Sequence, residues 1–411
     1  MAELVFKDLS FEEKDSKIKV NFLRTFYFYI DNSALKNIGN YKIDKNKIEF
    51  LNISESKANR KFNILLLKGF TQLKNSLNNK AAIYIHKNSG IPLIGTAYFG
   101  LIDRGTNLIE IRPITSCNLN CIFCSVDEGI SSKKKVDFVV EKDYLVEEFK
   151  KLVDFKQEAY IDAHINAQGE PLLYADIVEL VADIAKIPQV KSISIDTNGT
   201  LLNKQLIDDL ATAGLTRINL SLHALSQEIA NKMAGTSYNL KKVMEIAPYI
   251  PKKMDLIITP VWLPGYNDKE LVKLAKFAQK IGAGKKCPAI GIQNFFNYQF
   301  GRNPIKPVNM DVFYKKLRDL EQKHSIKLIC DEADFKIKKS RQLPKPFKKN
   351  DVIKAELVCP GRLNNEMLAV AQNRVISVPN CYQQHGFVKL KIRRAKHNIF
   401  LGELVYTHSH N

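Results

Sequence analysis

The sequence has few cysteines, one tryptophan and no long apolar run. Seven cysteines occur in 411 residues, and three of them fall within residues 117–124. No stretch reaches the ~18 consecutive apolar residues of a membrane helix. The opening residues MAELVFKDLS lack the basic and apolar regions of a secretion signal. We therefore expect a cytoplasmic protein, in which clustered thiols bind metal or carry out redox chemistry more often than they form disulfides.

The composition is that of an ordinary globular protein with an ample core. Hydrophobic residues make up 45% of the chain and charged residues 26%. Lysine and arginine exceed aspartate and glutamate by 62 to 43, which gives a formal net charge of +19. This charge would attract RNA, an anionic cofactor or an acidic protein. A proteome rich in lysine, isoleucine and asparagine would produce the same charge without such a partner, so the charge alone identifies no function.

Strand-like and helix-like segments alternate between residues 107 and 325. Six β-type runs, beginning with LIEIRP, are each followed by a segment of helical period. This α/β pattern predicts a parallel sheet backed by helices, either a full barrel or an open partial one, with its chemistry at the carboxyl ends of the strands. Residues 1–106 predict a small α+β domain. Residues 326–411 predict an exposed, basic, cysteine-containing loop and then a small β-rich domain.

The segment SCNLNCIFCS places Cys117, Cys121 and Cys124 in a CxxxCxxC pattern directly after the first β-type run. Three thiolates at this spacing suit a 4Fe–4S cluster, with one iron left open to a substrate or cosubstrate. A zinc site is the alternative, but it needs a fourth ligand close by. The following residues, SVDEGI, offer only carboxylates. The pattern therefore favours a cluster.

With this motif, the sequence resembles the radical S-adenosylmethionine (SAM) superfamily. Other superfamily landmarks follow the successive strands in the expected order, including GEP at 169–171, DTNG at 196–199, VWLPG at 261–265 and GIQ at 291–293. The resemblance implies a partial (β/α)6 barrel and reductive cleavage of SAM to a 5′-deoxyadenosyl radical. It also implies cofactor-binding roles for Phe123, Gly169, Glu170, Asn198, Ser221, His223, Pro264, Ile292 and Gln293.

The four remaining cysteines, Cys287, Cys330, Cys359 and Cys381, all lie in the last third of the chain. Each alone would most often be a buried core thiol. Together they could form a closed tetrahedral site for iron or zinc. The residues themselves leave both readings open.

A more specific resemblance spans essentially the whole chain. It includes FGLIDRGTNLIEIRPITSCNLNCIFCSVDEG, HINAQGEPLLYADIVELV, the four late cysteines and a small terminal β domain. These features resemble the cobalamin-dependent radical SAM methyltransferases of methanogenic archaea, which methylate an arginine in methyl-coenzyme M reductase. That family implies cobalamin held by the C-terminal part. It also implies a mononuclear iron bound by Cys287, Cys330, Cys359 and Cys381. The DxHxxG motif of most cobalamin enzymes is absent. We expect His385, His408 and His410 to be surface or terminal residues and not cobalt ligands.

The resemblance therefore predicts methylation of an sp³ carbon of a protein arginine. Its partners would be the alpha subunit of methyl-coenzyme M reductase, as an exposed or nascent segment, and a reductant protein. Neither a membrane nor nucleic acid is expected. One alternative is a radical SAM RNA-modifying enzyme, because VKLKIRRAKHNIFLGELV resembles a small RNA-binding β barrel. A non-catalytic iron–sulfur scaffold, which would not cleave SAM, is the other.

Overall fold

In the computed structural model, which describes residues 1–405, the amino-terminal domain is built on two antiparallel hairpin systems that share one core. Its strands are β1 Ala2–Val5, β2 Leu9–Lys14, β3 Lys17–Phe22, β4 Phe26–Asp31, β5 Tyr41–Asp44, β6 Lys47–Phe50, β7 Lys74–Asn75 and β8 Ala81–Ile85. Its helices are α1 Asn32–Lys36 and α2 Glu55–Phe70. The α+β character expected for this part of the chain is observed.

The helix α2 covers this domain because its apolar residues recur at helical spacing. Ala58, Phe62 and Leu66 follow one another every four residues, and all three are buried. The Phe62 ring contacts Phe11 from β2 and Phe50 from β6. One aromatic side chain thus joins both sheets to the helix.

The central domain is the predicted succession of strands and helices. Its strands are β9 Gly100–Asp103, β10 Leu108–Arg112, β11 Thr115–Ser116, β12 Val136–Val140, β13 Ile161–Ile165, β14 Gln168–Gly169, β15 Val190–Thr197, β16 Arg217–Leu220, β17 Asp255–Ile258, β18 Val261–Trp262 and β19 Gln293–Asn294. Its helices are α3 Lys142–Lys156, α4 Ile177–Ala185, α5 Lys204–Ala213, α6 Gln227–Ala234, α7 Leu240–Ile246, α8 Glu270–Lys280 and α9 Met310–His324.

Five of these strands form a parallel sheet in the order β10, β13, β15, β16, β17, and β9 adds an antiparallel edge next to β10. The sixth unit joins this sheet through a bridge between Ile258 and Ile290 and through the short pair β18–β19. The strand interiors read as continuous apolar runs because helices cover the sheet. The predicted partial (β/α)6 barrel is confirmed.

The first two domains interlock across the boundary expected at residue 106. The strand β9 precedes that position but belongs to the central sheet, whereas β12 lies well after it and pairs with β8 of the amino-terminal sheet. Asn75 reinforces the junction: its side-chain amide lies 2.7 Å from both the Asp137 carboxylate in β12 and the Ser116 hydroxyl. The amino-terminal domain is therefore attached to the start of the cysteine segment.

After α9 the chain crosses the amino ends of the parallel strands. Lys338 donates its backbone N–H to Asn107 over 2.8 Å, and the buried Lys156 ammonium lies 3.0 Å from the Ser340 hydroxyl. This segment was expected to be an exposed loop. Its backbone is instead fixed to the base of the barrel, because buried side chains of the central domain bind it.

The chain ends in a closed five-stranded barrel, here called the terminal barrel. Its strands are β20 Val352–Pro360, β21 Met367–Ala371, β22 Arg374–Val378, β23 Gly386–Arg394 and β24 Phe400–Leu404. The predicted β-rich domain is confirmed. His385 is exposed, whereas His408 and His410 lie outside the described residues. Among residues 1–405, every helix is too short or too polar to cross a lipid bilayer.

Candidate active site

A cavity of ≈ 300 Å³ opens at the carboxyl ends of the parallel strands. Cys117, Cys121 and Cys124 lie on its wall together with Glu170. The structure thus brings the three predicted cluster ligands to the end of the barrel at which such folds carry their chemistry. The volume falls at the lower end of the ~300–1,000 Å³ typical of small-molecule sites. We take this cavity as the candidate active site.

Most of the predicted SAM-binding residues share this cavity. Those on its wall are Phe123, Gly169, Glu170, Asn198, Ser221, His223 and Gln293. Pro264 and Ile292 are not among the lining residues. Ile292 is buried in the main hydrophobic core, because successive strand residues point to opposite faces and its neighbour Gln293 takes the cavity side. Pro264 lies in the turn after β18.

The cysteine segment, residues 117–129, is called the cluster loop below. It is folded by bonds to its own sulfur atoms and to α6. The Leu119 N–H lies 3.4 Å from Cys117 Sγ, and the Glu128 N–H lies 3.3 Å from Cys124 Sγ. Its Asn120 N–H donates to the carbonyl of Ala234 at the end of α6 over 2.9 Å. Backbone amides directed at the thiols favour their charged form. The loop is therefore shaped for bound thiolates.

Arg302, which sequence reasoning missed, holds the cluster loop from outside. Its side chain is 2.7 Å from Asp127 Oδ1, 3.2 Å from the Cys121 carbonyl oxygen and 2.9 Å from the Glu128 carbonyl oxygen. Its own N–H donates to the Cys124 carbonyl over 2.8 Å. A guanidinium can satisfy several fixed acceptors at once because its donors form a planar fork. Arg302 thereby fixes both the shape of the loop and a positive charge beside it.

Burial disfavours the ionised form of the three thiols in the metal-free chain. Burial raises the pKa of Cys121 to about 12, the neighbouring Cys124 adds to this effect and Arg302 opposes it. Burial also raises the pKa of Cys117 well above its usual value and, to a smaller extent, that of Cys124. Iron binding would deprotonate all three thiols, because a metal ion displaces the proton of a coordinating thiol, which is released to solvent. A cationic guanidinium beside the resulting anionic group is favourable, and the three thiols with Arg302 fit a 4Fe–4S cluster.

Gly169 is required where β14 passes the start of the cluster loop. Its φ of +144° is rarely adopted by other residues, and a Cβ at this position would lie 1.8 Å from the Ser116 carbonyl oxygen. The β11–β14 pairing brings these two backbones together. Only glycine therefore allows the second strand to end against the first cysteine.

Glu170, the next residue, is 1% exposed although it lies on the cavity wall. Its carboxylate accepts hydrogen bonds from the Leu172 N–H at 3.0 Å, the Thr197 hydroxyl at 2.8 Å and the Asn198 N–H at 2.8 Å. Burial nevertheless raises the pKa of Glu170 to about 7. In its ionised form this buried carboxylate would attract a cation, and the amino group of SAM is such a cation.

The third strand contributes a carboxylate that is held by two neighbours. Asn219 donates to Asp196 Oδ1 over 2.8 Å, and His164 Nε2 lies 3.2 Å from Asp196 Oδ2. Burial opposes the charge, but His164 and Asn219 still hold the pKa of Asp196 below its usual value. His164 was missed from the sequence because a strand histidine without a motif carries no signal. Asp196 thus keeps a negative charge on the cavity wall.

Ser221 and His223 follow the fourth strand and face the cavity. Burial lowers the pKa of His223 to about 4, so the imidazole is neutral at pH 7. Its Nδ1 accepts a hydrogen bond from the Val261 N–H over 3.1 Å, which leaves the proton on Nε2. The Phe123 ring meets the imidazole edge to face, with centroids 4.7 Å apart. This pair provides one donor and one apolar face for a bound nucleoside.

The four late cysteines do not come together. Cys330 Sγ lies 3.1 Å from the carbonyl oxygen of Ile290, three residues after Cys287. The Cys287 N–H binds Asp255 at the start of β17, the end of the sheet opposite the cavity. Cys359 lies in β20 and its side chain packs in the main hydrophobic core, whereas Cys381 packs in the core of the terminal barrel. Within residues 1–405, no three Cys, His, Asp or Glu side chains are placed to hold one metal ion. A mononuclear iron needs such a group, whereas a 4Fe–4S cluster does not, because each of its three cysteines binds a different iron. As placed, these residues do not fit the predicted mononuclear iron.

Comparison with known proteins identifies similar chains. Residues 111–278 match the family model of the radical SAM superfamily. The uncharacterized protein MJ0103 of Methanocaldococcus jannaschii is 42% identical over 81% of this chain and 83% of its own length. The GTP 3′,8-cyclase of Aquifex aeolicus is 31% identical over 44% of this chain. The match spans only about half of the cyclase, 55% of its length.

Among solved structures, the chain is similar to the radical SAM methyltransferase TsrM of Kitasatospora setae, determined with cobalamin and a [4Fe–4S] cluster bound. The two share 15% sequence identity over 47% of this chain and 38% of TsrM, with a TM-score of 0.37.

Proposed function

Because the chain belongs to the radical SAM superfamily, we propose that it is a cobalamin-dependent C-methyltransferase. Its proposed substrate is an sp³ carbon of an arginine in the alpha subunit of methyl-coenzyme M reductase. The single observation that carries the radical chemistry is the grouping of Cys117, Cys121 and Cys124 with Glu170 around one cavity. Three thiolates leave one iron of a 4Fe–4S cluster open for the amino and carboxylate groups of SAM.

The choice of methyl transfer and of an arginine rests on the sequence resemblance. This resemblance covers the cluster segment, the four late cysteines and the terminal β domain together. The similarity to MJ0103 likewise extends over 81% of this chain. Cobalamin would supply the methyl group in a form that a carbon radical can accept. No residue of the described chain is assigned to cobalt.

When bound, the cluster would supply the electron for reductive cleavage of SAM, and this chemistry would allow hydrogen to be taken from an unactivated carbon. The residues of this chain hold SAM in the geometry that this step needs. Glu170 binds the SAM amino group, His223 Nε2 donates to an oxygen of the ligand, and Phe123 packs against the adenine. Proximity and orientation are the main contribution that such residues make.

A mononuclear iron on Cys287, Cys330, Cys359 and Cys381 remains a proposal from the same resemblance. Binding there would require a rearrangement that joins the terminal barrel cysteines to the Cys287–Cys330 pair. Metal binding can drive such a change because its free energy contributes to folding. No step of the reaction is assigned to this iron.

An RNA-modifying activity is the alternative that one specific feature favours. The strand β23 exposes Lys389, Arg393 and Arg394 on the surface of the terminal barrel. Binding to RNA through such a surface would weaken steeply with salt because counterions are released. A peptide substrate that is bound mainly through its own side chain would show a shallow salt dependence, so a salt titration separates the two activities.

The test is a methylation assay on a peptide that contains the reductase arginine. The peptide is incubated anaerobically with the protein, a reductant and SAM, with and without cobalamin. We expect the peptide to gain one methylene unit only when cobalamin is present, with S-adenosylhomocysteine and 5′-deoxyadenosine formed in near-equal amounts. A peptide with lysine in place of the arginine is the control. Methylation without cobalamin, or 5′-deoxyadenosine alone, would refute the methyltransferase assignment and leave the radical chemistry intact.

A further inference from the structure

The terminal barrel has the strand order of the OB fold, and it uses the ligand-binding face of that fold against the rest of its own chain. The order is β20, β21, β22, β24, β23, with β22 and β24 parallel and the other neighbours antiparallel. In OB folds, the second and third strands and the adjoining loops bind oligonucleotides or oligosaccharides. The corresponding strands here are β21 and β22.

This face is covered by the segment that leads into β9. The Val375 N–H from β22 donates to the Ile94 carbonyl over 2.9 Å, and the Phe400 N–H from β24 donates to the Gly95 carbonyl over 2.8 Å. A Cβ on Gly95 would lie 2.1 Å from the Val375 carbonyl oxygen, so the two backbones are in direct contact. An oligonucleotide cannot occupy the same surface.

The loop between β20 and β21 carries Arg362, whose side chain is fully buried in the central domain. Its guanidinium forms a two-pronged ion pair with the Glu128 carboxylate, and the Nη2–Oε2 distance is 3.1 Å. It also lies 2.8 Å from Asp137 Oδ1 and 3.4 Å from the Gln168 side-chain oxygen, and its Nε donates to the Val136 carbonyl over 3.0 Å.

Two of these partners lead directly to the candidate active site. Glu128 is the residue whose backbone N–H lies 3.3 Å from Cys124 Sγ. Gln168 precedes Gly169, which packs on Ser116 beside Cys117. One side chain of the terminal barrel therefore contacts the end of the cluster loop and the strand that delivers Glu170.

We propose that Arg362 is a positioning residue through which the terminal barrel holds the cluster loop in its ligand-binding shape. It acts through Glu128 and Gln168 and touches neither the iron nor SAM. The proposal rests on the cluster assigned to Cys117, Cys121 and Cys124, but it does not depend on the methyl acceptor or on cobalamin.

The energetics explain why an arginine serves here. A buried charge is tolerated only when it is paired and its donors are satisfied, and Arg362 meets two carboxylates, an amide and a carbonyl. The planar fork of the guanidinium fixes the angles between these partners, whereas a lysine would supply the charge without that geometry. Arg362→Lys therefore separates the charge of this residue from its positioning role.

The first experiment uses the metal-free full-length chain. Hydrogen exchange of the amides of residues 119–129 is compared among wild type, Arg362→Lys and two controls. Tyr98→Phe removes a different hydrogen bond between the barrel and the central domain, from Tyr98 to Glu366, and Arg393→Lys changes an exposed arginine of the same barrel. We expect at least tenfold faster exchange in Arg362→Lys and unchanged exchange of these amides in both controls.

The second experiment uses the reconstituted protein without peptide or cobalamin. Arg362→Lys should bind iron but show altered g-values of the reduced cluster, a weaker spectral response to SAM and at least tenfold slower 5′-deoxyadenosine formation. The proposal would be overturned if hydrogen exchange and spectra of Arg362→Lys matched those of wild type. It would also be overturned if Tyr98→Phe changed them as much as Arg362→Lys does. If Arg362→Lys does not fold, Glu128→Gln, which keeps the volume, is measured instead with the same expected directions. A wild-type protein that binds no cluster would refute the proposed function itself.

Discussion

Arg302 and Asp127 form an ion pair with an Nε–Oδ1 distance of 2.7 Å, although 175 positions separate them in the sequence. The pair closes the cluster loop with the segment that follows the sixth strand of the barrel. The cluster loop lies early in the chain and the segment that carries Arg302 lies late. The metal site is therefore complete only when the whole barrel has formed.

Arg302→Gln should destabilise the metal-free protein by about 2–3 kcal/mol, because charge-assisted bonds to one carboxylate and two carbonyl groups are lost. The free energy of unfolding in urea measures this change. Arg318→Gln, on the exposed face of α9, is the matched control and should change it by less than about 0.5 kcal/mol. Equal effects of the two variants would remove Arg302 from the loop-closing role.

Gly169→Ala should lose iron and stability because its Cβ would collide with the Ser116 carbonyl oxygen. Gly90 is a suitable control, since it also has a positive φ, of +69°, but has open space around it. We expect Gly169→Ala to exceed Gly90→Ala in destabilisation by about 1–3 kcal/mol, as measured by chemical unfolding. A smaller difference would mean that β11 and β14 separate freely.

SAM binding should weaken as the pH falls through 7. The pKa of Glu170 is about 7 in the empty site, so this carboxyl is ionised above that pH and neutral below it, where it no longer attracts the SAM amino group. Between pH 8 and pH 6 the ionised fraction falls, and the affinity with it, by about tenfold. Calorimetry of the cluster-loaded protein measures the affinity. Glu170→Gln should bind SAM weakly at both pH values, and a wild-type affinity that does not depend on pH would contradict the assigned role.

Cys121→Ala should abolish 5′-deoxyadenosine formation, because two thiolates cannot retain a four-iron cluster with an open iron. Cys330→Ala is the matched thiol control and should keep both the cluster and SAM cleavage. Product analysis by chromatography decides between them. Wild-type SAM cleavage in Cys121→Ala would refute the radical SAM site.

If the mononuclear iron binds, Cys330→Ala and Cys359→Ala should each lose one iron per chain and some thermal stability, since closed tetrathiolate sites contribute folding energy. Mössbauer spectra distinguish this iron from the cubane. Wild-type spectra that contain only the cubane would show that the four late cysteines are core thiols, as their separation in the metal-free chain suggests.

The cluster ligands could be predicted because their information is local. Cys117, Cys121 and Cys124 lie within one turn-rich loop, and alternating runs reveal the strand ends on which Glu170 and His223 stand. Arg302 and Arg362 gave no such signal. Each is one arginine among many lysines and arginines, and each gains its role only from partners that the tertiary fold brings to it.

The late cysteines illustrate the opposite case. Their number and position suggested one site, but within residues 1–405 no three of them are placed to hold one metal ion. Spacing in the sequence does not reveal which end of a barrel a residue reaches. The contact between the first two domains could not be predicted for a similar reason, because strand pairing between β8 and β12 leaves no mark in either segment alone.

That pairing has a consequence for synthesis of the chain. The ribosome releases β8 long before β12, so the growing amino-terminal sheet has an unpaired edge until residue 140 has emerged. An unpaired edge is a site of aggregation. The strand that protects it follows the cluster loop directly, so maturation of the first domain and emergence of the three cysteines are parts of one folding event.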